Sequence, residues 1–287
     1  MEGPLGRMLH LLSLTKPRQL ALLMLTMYGS YLVAADHVDP GTLALLFLVG
    51  LGGAGGVTAL NMYLDRDIDG LMKRTMSRPL PSGKIGEAEA MAFSTGLIVM
   101  GLVAASMINS YVALAVLLGL FFDIIAYTEL SKRFSSLSLV LGSIAGSMPA
   151  LGGWAAGEGH ISLPGLLLAG MVFAWQPLHV WFIGFYYLED YNRAGIPIVP
   201  HGVSLRVVAL VLVASIASIP VLAWAFSYVE GYGYITSLLV TLLSLSAIRG
   251  ALAFYRDPSR RRAFSMLKMA SPIIAVAFIG YPVEALI

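Results

Sequence analysis

Cysteine is absent from this chain and charge is scarce. Without Cys there are no disulfides, no thiolate metal sites and no cysteine nucleophile. Charged residues make up 12% of the 287, about half the roughly 25% expected of a soluble domain. No leader is expected either. The segment from Met1 to Arg18 is polar, ends in "TKPR" and offers no A-x-A-like cleavage site, so no signal peptide is expected.

Apolar sequence fills the space that charge leaves. The chain is 58% hydrophobic, with a mean hydropathy of +0.81. Apolar runs of about 20 residues recur, each long enough to cross a hydrocarbon core of roughly 30 Å. They are apolar on all sides, as lipid-embedded helices are. The expected fold is a single all-α, multi-pass domain over residues 1–287. Its nine spans are expected near 19–36, 43–61, 88–108, 111–128, 137–157, 163–187, 207–227, 232–254 and 267–286. Small residues such as "GLGGAGG" in span two and "GSIAGSMPALGG" in span five suit close helix contacts.

All 18 Lys and Arg fall in or beside alternate loops: the N-terminal segment and the loops after spans two, four, six and eight. The other loops hold Asp36, Asp39, Glu158 and Glu230. The positive-inside rule then puts the N-terminus in the cytoplasm and the C-terminus outside.

The densest charge lies on the same cytoplasmic side, in "NMYLDRDIDGLMKRTMSRPLPSG", residues 61–83. Asn61, Asp65 and Asp69 are four residues apart, so on a helix they line one face over roughly 12 Å. Lys73 continues that stripe, while Asp67 points elsewhere, as a salt-bridge residue or one that supports the metal ligands from behind. Acidic groups within a membrane are functional candidates by default. Several on one face repel each other unless a cation lies among them. An all-oxygen set of Asp and Asn suits Mg²⁺, which keeps several waters and commonly bridges to substrate phosphates. Lys73, Arg74 and Arg78 supply cations for an anion, Arg with a forked geometry that matches phosphate. The combination describes a metal–diphosphate site. A solvated loop held by ion pairs four residues apart is the plainer alternative.

Span six ends in "FYYLEDYNRAGIPIVP". There Glu189 and Asp190 reach the same level and suit a second Mg²⁺ on the same diphosphate. Tyr187 and Arg193 are candidate phosphate contacts.

These residues resemble the UbiA superfamily of intramembrane prenyltransferases, whose first Asp-rich motif residues 61–83 closely match. "LDRDIDGLMKRTMSRPL", "AYTELSKRFSSLSLVLGSIAGSMPALGGWAA", "WQPLHVW" and "YLEDYNRAGIPIVP" resemble its protoheme IX farnesyltransferase branch. They stand in the right order and cover most of 58–200. The resemblance implies transfer of a farnesyl group from farnesyl diphosphate to a vinyl group of heme b. Mg²⁺ is the implied cofactor, and heme b is a substrate rather than a resident group. It carries Asn61, Asp65 and Asp69 onto the first metal motif, and Glu189 and Asp190 onto the second. Lys73, Arg74 and Arg78 fall on diphosphate-binding positions. In "YTELSKR", Tyr127 is implied to face the allylic cation and Lys132 the diphosphate, with Arg133 beside it. The implied partners are farnesyl diphosphate, heme b and membrane lipid, with no nucleic acid. Association with a downstream heme-modifying enzyme or a terminal oxidase assembly is also implied. The implied location is the cell membrane, the active site opening at the cytoplasmic side.

Three places depart from the pattern. "IVPHGVSLR" is shorter than usual, with His201 near the gap. Leu178 replaces a repeated Pro in "WQPLHVW". Asp123 stands in span four where an apolar residue is expected, and there it needs a partner. In span six, His179 is a candidate contact for heme iron or a propionate, although a lone intramembrane His is more often a packing residue. No C-x-x-C-H attachment motif is present. Two rival readings remain open: a prenyltransferase acting on a quinone precursor or lipid alcohol, and an ion or proton transporter.

Overall fold

Proline and short polar side chains set where the helices begin. Helices α1 (Pro4–Leu14), α2 (Pro17–Ala34) and α3 (Pro40–Val49) each start on a Pro, whose missing N–H costs nothing in the first turn. Asp39 caps α3 by accepting from the Thr42 N–H at 2.7 Å. Asn109 divides α6 (Glu87–Ile108) from α7 (Ser110–Leu120). Its side-chain oxygen accepts from the N–H groups of Tyr111 and Val112, at 3.0 and 2.9 Å, and its amide donates to the Ala155 carbonyl at 2.8 Å. One side chain thus starts a helix and ties the hairpin to a neighbour.

The structure is a computed structural model, and residues 3–136, 138–199 and 203–287 are described. His201 lies outside them. After α3 come α4 (Gly56–Leu64) and α5 (Arg66–Leu71), and after α7 come α8 (Ser138–Glu158), α9 (Leu163–Tyr186), α10 (Leu188–Arg193), α11 (Leu205–Glu230), α12 (Tyr234–Arg256) and α13 (Arg260–Ala285). Two wide π-helical stretches interrupt the α-helices, at Gly50–Gly55 between α3 and α4 and at Phe121–Glu129 after α7.

Eight helices among the described residues are long and apolar enough to cross a membrane. They are Pro40–Leu64, Glu87–Ile108, Ser110–Glu129, Ser138–Glu158, Leu163–Tyr186, Leu205–Glu230, Tyr234–Arg256 and Arg260–Ala285. The expected span 19–36 corresponds to α2, 18 residues long with Arg18 and Gln19 in its first turn; it is not among the eight. The last helix starts seven residues before the expected 267, because Ser259 caps a polar turn of three arginines. The first helix, α1, lies in a segment read only as polar. It turns Leu5, Met8 and Leu9 outward and packs against α4 and α6.

Within lipid, apolar burial does not drive helices together; close packing does. The large core joins α8, α9, α11, α12 and α13 around Trp154, Phe182, Phe226, Phe254 and Tyr281. Small residues allow the tightest crossings. A side chain at Gly52 would strike the backbone of Gly101 and Leu97 on α6, so only Gly fits there. On α8, Gly142 leaves room for the Tyr127 ring, and a Cβ at Gly146 would collide with the Gln176 amide. The glycines of "GSIAGSMP" therefore shape a cavity wall.

Candidate active site

The stripe of Asn61, Asp65 and Asp69 crosses a break in the helix. Asp65 leaves helical geometry (φ −90°, ψ 5°), ending α4 and opening α5. The backbone bonds continue across it, from Asp65 N–H to the Asn61 carbonyl at 2.9 Å and from Asp69 N–H to the Asp65 carbonyl at 2.8 Å. All three side chains therefore stay on one wall of a cavity of about 530 Å³, within the range of small-molecule sites. Lys16, Arg74, Arg78, Asp123, Tyr127, Lys132, Tyr191 and His179 line the same cavity. Apolar side chains, among them Leu23, Val57, Ile68, Met148, Val172 and Ile274, line much of the rest.

Each carboxylate of the stripe faces a cation. Lys132 pairs with Asp65 through Oδ2, both side chains mostly covered. Arg78 donates to Asp69 Oδ2 at 2.6 Å. The Lys132 ammonium also lies 5.5 Å from the centre of the Tyr127 ring. Burial opposes charge on Lys132, but Tyr127 and Asp65 outweigh it and hold its pKa above the ordinary lysine value. Lys16 makes no ion pair within 4 Å among the described residues. Burial first, then the positive charges of Arg78 and Lys132, lower it to about 8. Its backbone is left-handed, φ +48°, the one such non-glycine residue among those described, and this turn between α1 and α2 places it on the cavity wall.

Five buried side-chain atoms lack a hydrogen-bond partner among the described residues, and two of these five belong to residues of this cavity: Asp65 Oδ1 and His179 Nδ1. His179 stacks on Trp175 at 4.5 Å and 17°. Trp175 is in turn fixed by donating to the Ala270 carbonyl at 2.8 Å.

The donor chemistry fits a hard divalent cation. Asn61, Asp65 and Asp69 offer only oxygen toward it, and Asp65 keeps one oxygen free. No three Asp, Glu, His or Cys side chains converge into a ready cage among the described residues. A cation bound here therefore takes the rest of its shell from water and a bound phosphate, as Mg²⁺ commonly does.

Other expected site residues stand apart. Lys73 leaves the stripe because the helix ends at Leu71 and Met72 is extended (φ −95°, ψ 129°); its side chain is exposed. Arg133 is turned away from the cavity. It forks onto Asp67 at 2.8 and 3.0 Å and holds that carboxyl below its usual range. Glu189 is exposed, and Asp190 is buried outside the cavity wall. The Asp190 oxygens accept from the backbone N–H groups of Lys73 and Arg74, both at 3.1 Å, and Arg193 lies at 3.4 Å. Asp190, one of the second acidic pair, thus fastens the loop after α5. Tyr187 lies under the Arg74 guanidinium, 4.8 Å from ring centre to charge. An apolar cluster of Ile68, Met72, Tyr191, Ile196 and Ile198 packs these two charged segments together.

Lys16 also faces the cavity, although the sequence did not mark it as a site residue. The cue for Lys16 was present: a cation directly before the Pro that opens a helix. Asp123 finds the partner it needs in Asn61, whose Nδ2 donates to Asp123 Oδ2 at 3.2 Å.

Residues 22–271 match the model of the UbiA prenyltransferase family. The chain belongs to the UbiA prenyltransferase family. It is 53% identical over 283 residues to a protoheme IX farnesyltransferase of Aeropyrum pernix, covering 99% of this chain and 94% of the relative. A protoheme IX farnesyltransferase of Archaeoglobus fulgidus is 38% identical, with 93% and 95% covered. The UbiA fold is equally plain in solved structures. That of a digeranylgeranylglyceryl phosphate synthase superposes with a TM-score of 0.80 at 19% identity, covering 98% and 99%. A UbiA homologue from Archaeoglobus fulgidus bound to GPP and Mg²⁺ gives 0.65 at 16%, covering 95% and 99%. At such low identity these last two likenesses establish the fold alone.

Proposed function

We propose that this protein transfers the farnesyl group of farnesyl diphosphate to a vinyl group of protoheme IX, making heme O and releasing diphosphate. One observation carries this reading. Three oxygen ligands on one helical stripe meet Lys132, Arg78 and Arg74 on the wall of a largely apolar cavity that also holds Tyr127 and His179, whose Nδ1 has no hydrogen-bond partner among the described residues. The relatives named above support heme as the acceptor.

Asn61, Asp65 and Asp69 would hold Mg²⁺, which would supply Lewis acidity toward the departing diphosphate. Lys132 and Arg78 exchange their carboxylate partners for diphosphate oxygens, and Arg74 adds a third cation. Breaking the allylic C–O bond sends its electron pair to the diphosphate, where these fixed charges stabilise it in a low-dielectric site. The face of Tyr127 stabilises the allylic cation through its quadrupole. The terminal carbon of the heme vinyl group attacks that cation. Water then adds to the new cation on the heme side chain and loses a proton, leaving a hydroxyethylfarnesyl group. The apolar walls keep water from the first cation. His179 contacts the heme iron or a propionate. A second Mg²⁺ at Glu189 and Asp190 requires Asp190 to release the Lys73 and Arg74 amides; in the present arrangement Asp190 keeps that loop in place. The chain crosses the membrane nine times, α2 included, with the N-terminus and the mouth of the site on the cytoplasmic side.

The test is acceptor choice. Purified protein in lipid nanodiscs is given farnesyl diphosphate with heme b, or with an aromatic quinone precursor, and products are read by mass spectrometry. A heme in which one vinyl group has become hydroxyethylfarnesyl, heavier by a farnesyl and a hydroxyl group, is expected. Unchanged heme beside a prenylated quinone precursor contradicts the heme assignment.

A further inference from the structure

We propose that Asp123 is a positioning residue that sets which end of the Asn61 amide faces the metal. The inference rests on the metal–diphosphate reading above and extends it to a residue outside the Asp-rich motif.

An Asn side chain has two unlike ends. Its carbonyl oxygen can bind a hard cation, and its NH₂ group cannot. The terminal torsion of Asn has broad, roughly two-fold preferences, so the side chain alone does not choose between them. A neighbour that only accepts hydrogen bonds makes the choice. As a carboxylate, Asp123 is such a neighbour. It stands 62 residues away, on the π-helical stretch after α7, and its Oδ2 accepts from Asn61 Nδ2 at 3.2 Å. Both side chains line the cavity. With the nitrogen drawn to Asp123, the amide oxygen is presented to the opposite side.

The backbone holds Asp123 in that position. In the π-helical stretch each bond spans five residues. The Thr128 hydroxyl adds a further tie by donating to the Asp123 carbonyl at 2.7 Å. The same stretch carries Tyr127, so the residue that orients the metal ligand and the aromatic that faces the reacting carbon share one helical segment. An acid in an apolar span is costly. The pairing with Asn61 accounts for its presence there without giving it a role in proton transfer.

The test is metal affinity, measured apart from turnover. Protein in nanodiscs is titrated with Mn²⁺ in the presence of inorganic diphosphate and followed by electron paramagnetic resonance. The set is wild type, Asp123→Leu, Asp123→Asn, Asn61→Ala and the double variant Asn61→Ala/Asp123→Leu. Residues that orient metal ligands are worth about 10–100-fold in affinity, so Asp123→Leu is expected to weaken Mn²⁺ by at least about tenfold. Asp123→Asn, whose carbonyl can still accept, is expected to lose less. In the Asn61→Ala background, Asp123→Leu is expected to change nothing, because the residue it acts through is gone. Where Asp123→Leu does not accumulate, Asp123→Ala removes the same acceptor with less bulk. Unchanged affinity in Asp123→Leu, or an equal loss with and without Asn61, overturns the inference alone. A wild-type protein that binds no Mn²⁺ with diphosphate overturns the underlying metal reading and the inference with it.

Discussion

Replacing Lys132 by Met separates the two tasks that the structure gives this lysine. The change keeps the stem and removes the ammonium that pairs with Asp65. Those side chains are 13% and 10% exposed, so the pair is close to buried. Removing one partner of a buried pair costs about 3–5 kcal/mol, because the other charge is left uncompensated. Asp65 borders a cavity rather than the packed core, which places the expected loss at the low end, about 3 kcal/mol. Mg²⁺ bound at Asp65 restores that compensation. Thermal unfolding in nanodiscs should therefore show a large stabilisation by Mg²⁺ in Lys132→Met and a smaller one in wild type, where the cation competes with Lys132. Turnover should not recover with it. The ammonium also stabilises the departing diphosphate, and losing one such donor typically lowers the rate by about 10²–10³. Equal stabilisation of both proteins by Mg²⁺ would remove Asp65 from the metal site. Recovery of turnover by Mg²⁺ alone would remove Lys132 from the diphosphate.

Arg78→Ala should raise the KM for farnesyl diphosphate by more than the KM for heme; equal losses would mean that Arg78 acts mainly by holding Asp69, 2.6 Å away. Lys16 should give the diphosphate site a pH dependence. With a pKa lowered to about 8, it is charged below that pH and neutral above it, so farnesyl diphosphate affinity should fall as pH rises through about 8. Lys16→Arg, which stays protonated, should abolish that fall, and an unchanged profile would exclude Lys16 from diphosphate binding. A tag at the N-terminus should react with impermeant reagents only from the cytoplasmic side, and labelling from outside would reverse the orientation.

The helices were legible in the sequence because hydropathy reports composition, and composition is what lipid selects. Most expected spans lie within a few residues of the helices. Hydropathy does not report hydrogen-bond register, so neither π-helical stretch was visible, although "GLGGAG" and "FFDIIAYTE" marked their places. Nor did it show α1, a short segment that buries Leu14 and leaves Leu5, Met8 and Leu9 exposed. In the site, the spacing of Asn61, Asp65 and Asp69 could be read because it is local. The other contacts are long-range. Asp190 is fixed by amides 116 and 117 residues away, and Arg133 meets Asp67 across 66 residues. A linear motif gives such residues a charge but not a direction. Lys73 was misplaced for a local reason: its position on the stripe assumed that the helix continued, and it ends at Leu71. The odd acid in span four had a stated need for a partner, and only the fold could identify it as Asn61.

The most direct test of the central claim is heme product formation under control of the divalent cation. Membranes containing the protein are supplied with farnesyl diphosphate and heme b, with Mg²⁺ or with EDTA, and hemes are analysed by mass spectrometry. The account predicts a hydroxyethylfarnesyl heme that appears with Mg²⁺, disappears with EDTA and is absent in Asp65→Asn at either condition. The same heme product formed at full rate in EDTA, or undiminished in Asp65→Asn, would contradict it.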